Sequence, residues 1–319
     1  MSLGSSRRRL SLRRPRAPVV YACDAGYFEG FVTSLASLRA SDPRRRVVLG
    51  DVGLLPDQRR WCTDHHVAVG DLRFILDLDV QLPGWQHINL AALASLYVHR
   101  IVDGPFIFVD VDVILLASLA NVEAALGRAQ IVGVLGNAVG SIDDGYVHTL
   151  ARELEDSTGA ELVARFPKLD LAAPAINSGL FGARAELFRR WERRYRELFP
   201  YLSGLKMGDQ TIINVLRALH HPDELFLGPE NNFTGLRLAR SLGRNPADLQ
   251  LRVDRNRTPV VMYRDRELRA FHFTGKVKPW RRSDRIDQPQ LLWRFFDPND
   301  DSVTIATIDR QWRKASRTP

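Results

Sequence analysis

Cysteine is scarce in this 319-residue chain, which has only Cys23 and Cys62. One pair could hardly be a disulfide framework for a chain this long, so a reducing, cytoplasmic setting with two packed thiols is expected. No run of about 18 apolar residues occurs, which argues against a spanning helix. The basic opening MSLGSSRRRLSLRRPRAP has no long apolar stretch behind it and does not read as a secretory signal. Internal repeats are absent, and residues 18–300 hold no low-complexity tract. Hydrophobic residues make up 45% and charged residues 26%, so disorder is expected only at the ends.

The net charge is +8, and arginines 7, 8, 9, 13, 14 and 16 account for most of it. Residues 1–17 therefore read as a basic, disordered arm, a solvated tail or a weak contact to an anionic membrane surface. Such contact would place the chain at the inner face of a membrane. The rest is only mildly basic, so no nucleic-acid partner is expected. The arginine-heavy composition suggests a GC-rich bacterial source. Residues 18–300 are expected to form one domain, followed by a polar tail over 301–319.

Short apolar runs alternate with helix-like stretches, the pattern of an α/β fold with a mostly parallel sheet flanked by helices. Strands are expected at 18–23, 46–49, 106–110, 130–135, 178–183, 260–263 and 270–273. Helices are expected at 27–40, 55–64, 90–102, 185–198 and 209–219. The arginine-rich stretch 236–257 reads as loop or irregular helix.

The most informative short stretch is Phe106-Ile-Phe-Val-Asp110-Val-Asp112. In an extended chain Asp110 and Asp112 share a face while Val111 points opposite. The apolar residues before them mark a buried strand, so the acids emerge at its carboxyl end, where open α/β sheets bind ligands. Two adjacent carboxylates repel each other, and a hard divalent cation bridging a diphosphate would relieve this. The structural alternative is that Asp110 caps the strand and Asp112 the turn.

A second signal is Phe271-His272-Phe-Thr-Gly275-Lys-Val-Lys278-Pro279-Trp280. A neutral imidazole at the end of an apolar strand can ligate a borderline metal. Gly275 allows close backbone approach to an anion, and Lys278 is a compact charge suited to phosphate. Pro279 stiffens the exit, and Trp280 can wall a pocket.

Together these two segments resemble glycosyltransferase family 8. Val20-Tyr-Ala-Cys-Asp24-Ala-Gly-Tyr27 is similar to that family's opening strand and uracil loop, Ala175-Ile-Asn177-Ser-Gly179 to its Asn-x-Gly segment, and Gly208-Asp209-Gln210 with Asn214 to a further helix start. The resemblance covers roughly residues 18–282. It implies the GT-A fold, and a retaining, metal-dependent hexosyltransferase using a UDP-sugar and an unidentified acceptor. It further implies that Asp110, Asp112 and His272 bind Mn²⁺, with Mg²⁺ as the alternative. Asp24, Tyr27, Asp110, Val111, Gly275 and Lys278 would contact the nucleotide donor, and Asn177, Asp209 and Gln210 would sit near the anomeric carbon. The family's usual basic residue before the acidic strand is missing: its place matches Ser95, and His99 and Arg100 are the nearest substitutes. Two rival functions stand beside this: a catalytically silent sugar-nucleotide or glycan-binding subunit, and a nucleotidyltransferase, although Asp24-Ala-Gly26-Tyr27 lacks a phosphate loop.

Overall fold

The computed structural model describes residues 16–81, 90–135, 148–154, 157–205, 207–234, 249–253, 259–263, 265–274 and 278. The chain opens with β1 (Val19–Cys23), α1 (Phe28–Ser41), β2 (Val47–Asp51), α2 (Pro56–Asp64) and β3 (Ala68–Asp71). After the short α3 (Ala94–Tyr97) come β4 (Pro105–Val109), β5 (Val113–Leu115), α4 (Ala120–Leu126) and β6 (Ile131–Leu135). Then follow α5 (Leu150–Glu153), α6 (Ser157–Arg165), β7 (Ile176–Arg184), α7 (Ala185–Leu198), α8 (Asp209–His220) and β8 (Glu224–Leu227). Short strands close the described chain: β9 (Phe233–Thr234), β10 (Leu249–Val253), β11 (Pro259–Tyr263), β12 (Arg266–Glu267) and β13 (Ala270–His272).

Seven strands form one sheet in the order β3-β2-β1-β4-β7-β6-β8. It is mostly parallel; only β7 runs against its neighbours β4 and β6. Both faces are covered, which is why the strands read as continuous apolar runs rather than alternating ones. On one face Val20, Phe106, Phe108 and Phe181 pack under Phe188, Trp191 and Tyr195 of α7 and Ile212 and Leu216 of α8. On the other, Val19, Tyr21, Ile107 and Val109 pack under Phe31, Leu35 and Leu38 of α1 and Val122 and Leu126 of α4. Two three-stranded sheets flank this core, β10-β11-β12 and β5-β13-β9.

Several expectations are corrected. The helix expected over 90–102 is one α-turn between two 3₁₀ segments. The Leu96 carbonyl, which an uninterrupted α-helix would give to the N–H of residue 100, instead accepts from the Tyr195 hydroxyl (2.8 Å) and faces Nδ1 of His99 (3.1 Å). Within the stretch read as loop or irregular helix, residues 249–253 pair antiparallel with 259–263. β3, β5, β8, α4 and α6 are additional elements with no counterpart in the sequence expectation. Arg16 and Ala17, expected in the basic arm, are tied to the fold: Arg16 bonds Asp42, and the Ala17 N–H donates to Glu123 (2.9 Å). Cys23 and Cys62 are free and buried. No helix among the described residues is long and apolar enough to cross a membrane.

Candidate active site

β4 ends at Val109, at the carboxyl edge of the sheet, and the acids follow in a turn. Asp110 and Asp112 are therefore not alternate residues of one strand. The chain bends at Val111–Asp112, where the Val113 N–H donates to the Asp110 carbonyl (3.1 Å), and leaves as β5. The turn, not strand pleating, gathers the carboxylates, with Val111 packed into the core. α1 braces it: the Ser34 hydroxyl donates to the Val113 carbonyl, and the Leu115 N–H donates to Ser37 (2.9 Å).

His272 arrives from far along the chain because β13 pairs antiparallel with β5, setting His272 opposite Val113. The Phe273 N–H donates to the Asp112 carbonyl (3.0 Å) and locks this register. Nε2 of His272 lies 3.1 Å from Asp112 Oδ1 and 3.8 Å from Asp110 Oδ2. One ligand atom from each of the three residues falls within 4.8 Å of the others. The imidazole fits only because residue 179 on β7 is glycine: a Cβ there would stand 2.1 Å from the ring's Cε1.

The donor set fits a divalent cation. Asn177 Oδ1 accepts from the Gly179 N–H (3.0 Å) and from Asn232 (2.7 Å), and Nδ1 of His272 lies 3.0 Å away. Facing an oxygen that only accepts, Nδ1 carries the proton, which leaves Nε2 as a lone pair. Two carboxyl groups and the Nε2 edge of one imidazole thus converge, a set of oxygen and nitrogen donors that suits a borderline ion such as Mn²⁺.

Lys278 donates to Asp112 Oδ2 (2.5 Å) and to the Phe273 carbonyl (3.1 Å), so its ammonium lies against the acidic pair. Burial works to raise the Asp112 carboxyl, but the Lys278 ammonium against it outweighs this and holds Asp112 below the usual range. Asp110 is pushed well above that range by its recess in the cleft, then by the charges of Asp112 and Asp209. The two carboxyls of the turn therefore differ in character, one held as an ion and the other open to a counter-charge.

Asp209 begins α8. Gly208 before it has a φ of +56°, a conformation that a side chain rarely adopts and that aims Asp209 into the cleft. Burial raises its carboxyl to about 6 despite hydrogen bonds from Ser95, Ser178 and the start of α8. Ser95, where the resemblance would expect a basic residue, donates to Asp209 Oδ2 (2.7 Å). His99 and Arg100 do not substitute, since both bond Glu192 instead.

Asn177 and Gln210, expected near the anomeric carbon, are buried and bonded to each other, Asn177 Nδ2 donating to Gln210 Oε1 (3.0 Å). Asp24 follows β1 at the same sheet edge, and its side chain accepts from the Tyr27 N–H (3.1 Å) to cap a 3₁₀ turn. Gly275, Pro279 and Trp280 lie outside the described residues. Two site residues had no sequence signal. Asn232 lies in an unremarkable Asn-Asn-Phe run, and Glu153 in a short polar helix where nothing in the spacing marks burial.

No family model matches the chain, and no curated protein matches it. Solved structures do. An active-site mutant of LgtC is 17% identical with a TM-score of 0.61, over 85% of this chain and 91% of that one. The galactosyltransferase LgtC in complex with donor and acceptor sugar analogues is 16% identical with a TM-score of 0.60, over 95% of this chain and 97% of that one. The glycosyltransferase GlyE of Streptococcus pneumoniae TIGR4 is 15% identical with a TM-score of 0.57, over 96% of this chain and 65% of that one. At such identities the likeness speaks for the backbone alone, and the backbone is that of the GT-A glycosyltransferases.

Proposed function

We propose that this chain is a retaining, metal-dependent hexosyltransferase that moves a sugar from a UDP-sugar to an acceptor. One observation carries the reading: Asp110 and Asp112, and His272 more than 150 residues further along the chain, converge at the carboxyl edge of the central sheet. The neighbouring glycosyltransferase structures support the same reading.

A bound Mn²⁺ would neutralise the charge that grows on the leaving diphosphate. Asp110, Asp112 and His272 would hold it. Asp24 and Tyr27 would receive the uracil at the end of β1. Lys278, joined by Gly275 and the backbone of Val111, would turn from Asp112 toward the phosphates once a cation compensates that carboxylate. Asp209 stands at the anomeric side, with Asn177 and Gln210 behind it. Departure and attack on one face is the favoured route, with Asp209 as the carboxylate nearest the reacting carbon. A phosphate oxygen would then take the acceptor's proton.

The test is a thermal-shift screen of UDP-, GDP- and dTDP-sugars with and without Mn²⁺, since a ligand that binds only the native state raises its melting temperature. The expected result is a Mn²⁺-dependent shift with UDP-sugars, and loss of turnover in a folded Asp110→Ala variant. Undiminished turnover in that variant would overturn the reading. Sugar-dependent stabilisation with no transfer or hydrolysis would favour a silent binding subunit.

A further inference from the structure

Behind the imidazole runs a line of buried side chains whose hydrogen-bonding sense can be read without ambiguity, because backbone N–H groups can only donate. The Gly179 N–H fixes Asn177 Oδ1 as an acceptor, so the Asn177 amide NH₂ must point away from His272; it donates to Gln210 Oε1. That oxygen also takes the Ser178 N–H (3.2 Å), so the Gln210 NH₂ must in turn find an acceptor. It finds Glu153 Oε1 at 2.6 Å. Asn214 leads to the same place. Its oxygen accepts from the Ile176 N–H (2.9 Å) and from Arg217 (2.7 Å), and its NH₂ donates to the Ile176 carbonyl (3.0 Å) and to the Glu153 oxygens (3.2 Å each).

Glu153 is the end of this line. Its side chain is fully buried, and among the described residues its only ion-pair partner is His148, at 3.6 Å. A carboxylate can accept from two amide NH₂ groups at once without offering a donor in return, which no neutral side chain of that length can do. We propose that Glu153 is a positioning residue for the cation site: backbone N–H groups set the sense of Asn177, Gln210 and Asn214, and Glu153, by taking the NH₂ groups that Gln210 and Asn214 turn away from the site, holds the line in place and so keeps Nδ1–H of His272 on Asn177 and Nε2 toward the metal. This rests on the metal-dependent reading above and assigns it a support on α5, a segment with no part in the binding motifs.

The experiment measures Mn²⁺ affinity by calorimetry on the full chain, for wild type, Glu153→Gln and Asp112→Asn. A glutamine at 153 keeps one acceptor oxygen and sets an NH₂ against one of the two amides, so one of the two anchors is lost. Folded Glu153→Gln should bind Mn²⁺ about 10–100-fold more weakly, the usual effect of losing a partner behind a metal ligand. Asp112→Asn should lose binding altogether. If Asp112→Asn binds like wild type, the metal reading fails and this proposal with it. Should Asp112→Asn lose Mn²⁺ while Glu153→Gln keeps wild-type affinity, the proposal falls and the metal reading stands.

Stability alone can be separated from positioning by ¹⁵N spectra of the imidazoles at about pH 8, where a free histidine is neutral. The His272 signal is identified by its loss in His272→Gln. Wild type should show the Nδ1–H form, and a wild-type Nε2–H form would overturn the proposal whatever the variants do. If Glu153→Gln does not fold, Glu153→Asp, which keeps both acceptor oxygens one methylene back, takes its place. It should retain the Nδ1–H form with weakened Mn²⁺ binding, and unchanged affinity there would count against the proposal.

Discussion

At Asp209 a single substitution at a neighbouring position changes the character of a carboxylate. A lysine or arginine at position 95 would hold the acid ionised, whereas Ser95 offers one neutral hydrogen bond and leaves burial to dominate. Burial pushes the folded carboxyl up to about 6, against about 3.9 for an ordinary aspartate. A carboxyl whose folded value is raised binds its proton more readily in the native state. It therefore favours folding below about pH 4 and loses that contribution as pH rises through about 6. Asp209→Asn removes the dependence. Relative to wild type the variant should gain on the order of 1 kcal/mol at neutral pH, a few degrees in melting temperature, and nothing at pH 4. Turnover should fall at the same time, the trade expected when an active site carries strain. Melting curves across this pH range check it. A variant less stable than wild type at neutral pH would show that the hydrogen bonds to Asp209, rather than its burial, prevail.

Among the elements, those that were legible in the sequence have their own internal pattern. β1, β4 and β7 announce themselves as apolar runs because both faces of the sheet are covered, and α7 does so by burying Leu187, Phe188, Trp191 and Tyr195 on one side. β5 and β8 are three and four residues long and owe their form to partners elsewhere in the chain, β13 and β6. The broken helix before β4 is of the same kind, since the residue that interrupts it, Tyr195, lies on α7. The candidate site divides similarly. Its candidate cation ligands stand in segments singled out as motifs, while the grounds for their meeting, a turn after β4 and a pairing of β5 with β13, could not be read. Tyr195→Phe tests the cause assigned to the broken helix. Loss of the hydroxyl should cost about 1 kcal/mol in urea unfolding with an unchanged slope, because the Leu96 carbonyl keeps only the His99 ring as a side-chain partner. No loss would mean that packing around Tyr97 and Val98 sets the break.

On the scale of the whole molecule, the candidate cation would join the main sheet to a small separate one. β13 does not belong to the seven-stranded sheet; it pairs with β5 on one side and the two-residue β9 on the other. Asp110 and Asp112 sit at the root of β5 and His272 at the end of β13, so an ion bound to all three links the main sheet to that small one. Three acids, Asp110, Asp112 and Asp209, face one lysine and one histidine there, and without the ion this excess of negative charge favours openings that separate β13 from β5. Amide exchange should report this regionally. With Mn²⁺ at about 100 times its dissociation constant, amides of β5 and β13 that exchange through such openings should slow by about 100-fold, equivalent to roughly 2.7 kcal/mol. Amides of β10 and β11, paired with each other in a sheet that supplies no ligand, should be unaffected. In Asp112→Asn the protection should vanish from β5 and β13 alike. Uniform slowing across all the sheets would instead mean that the ion stabilises only against global unfolding, and that β13 is already as firmly held as the central strands.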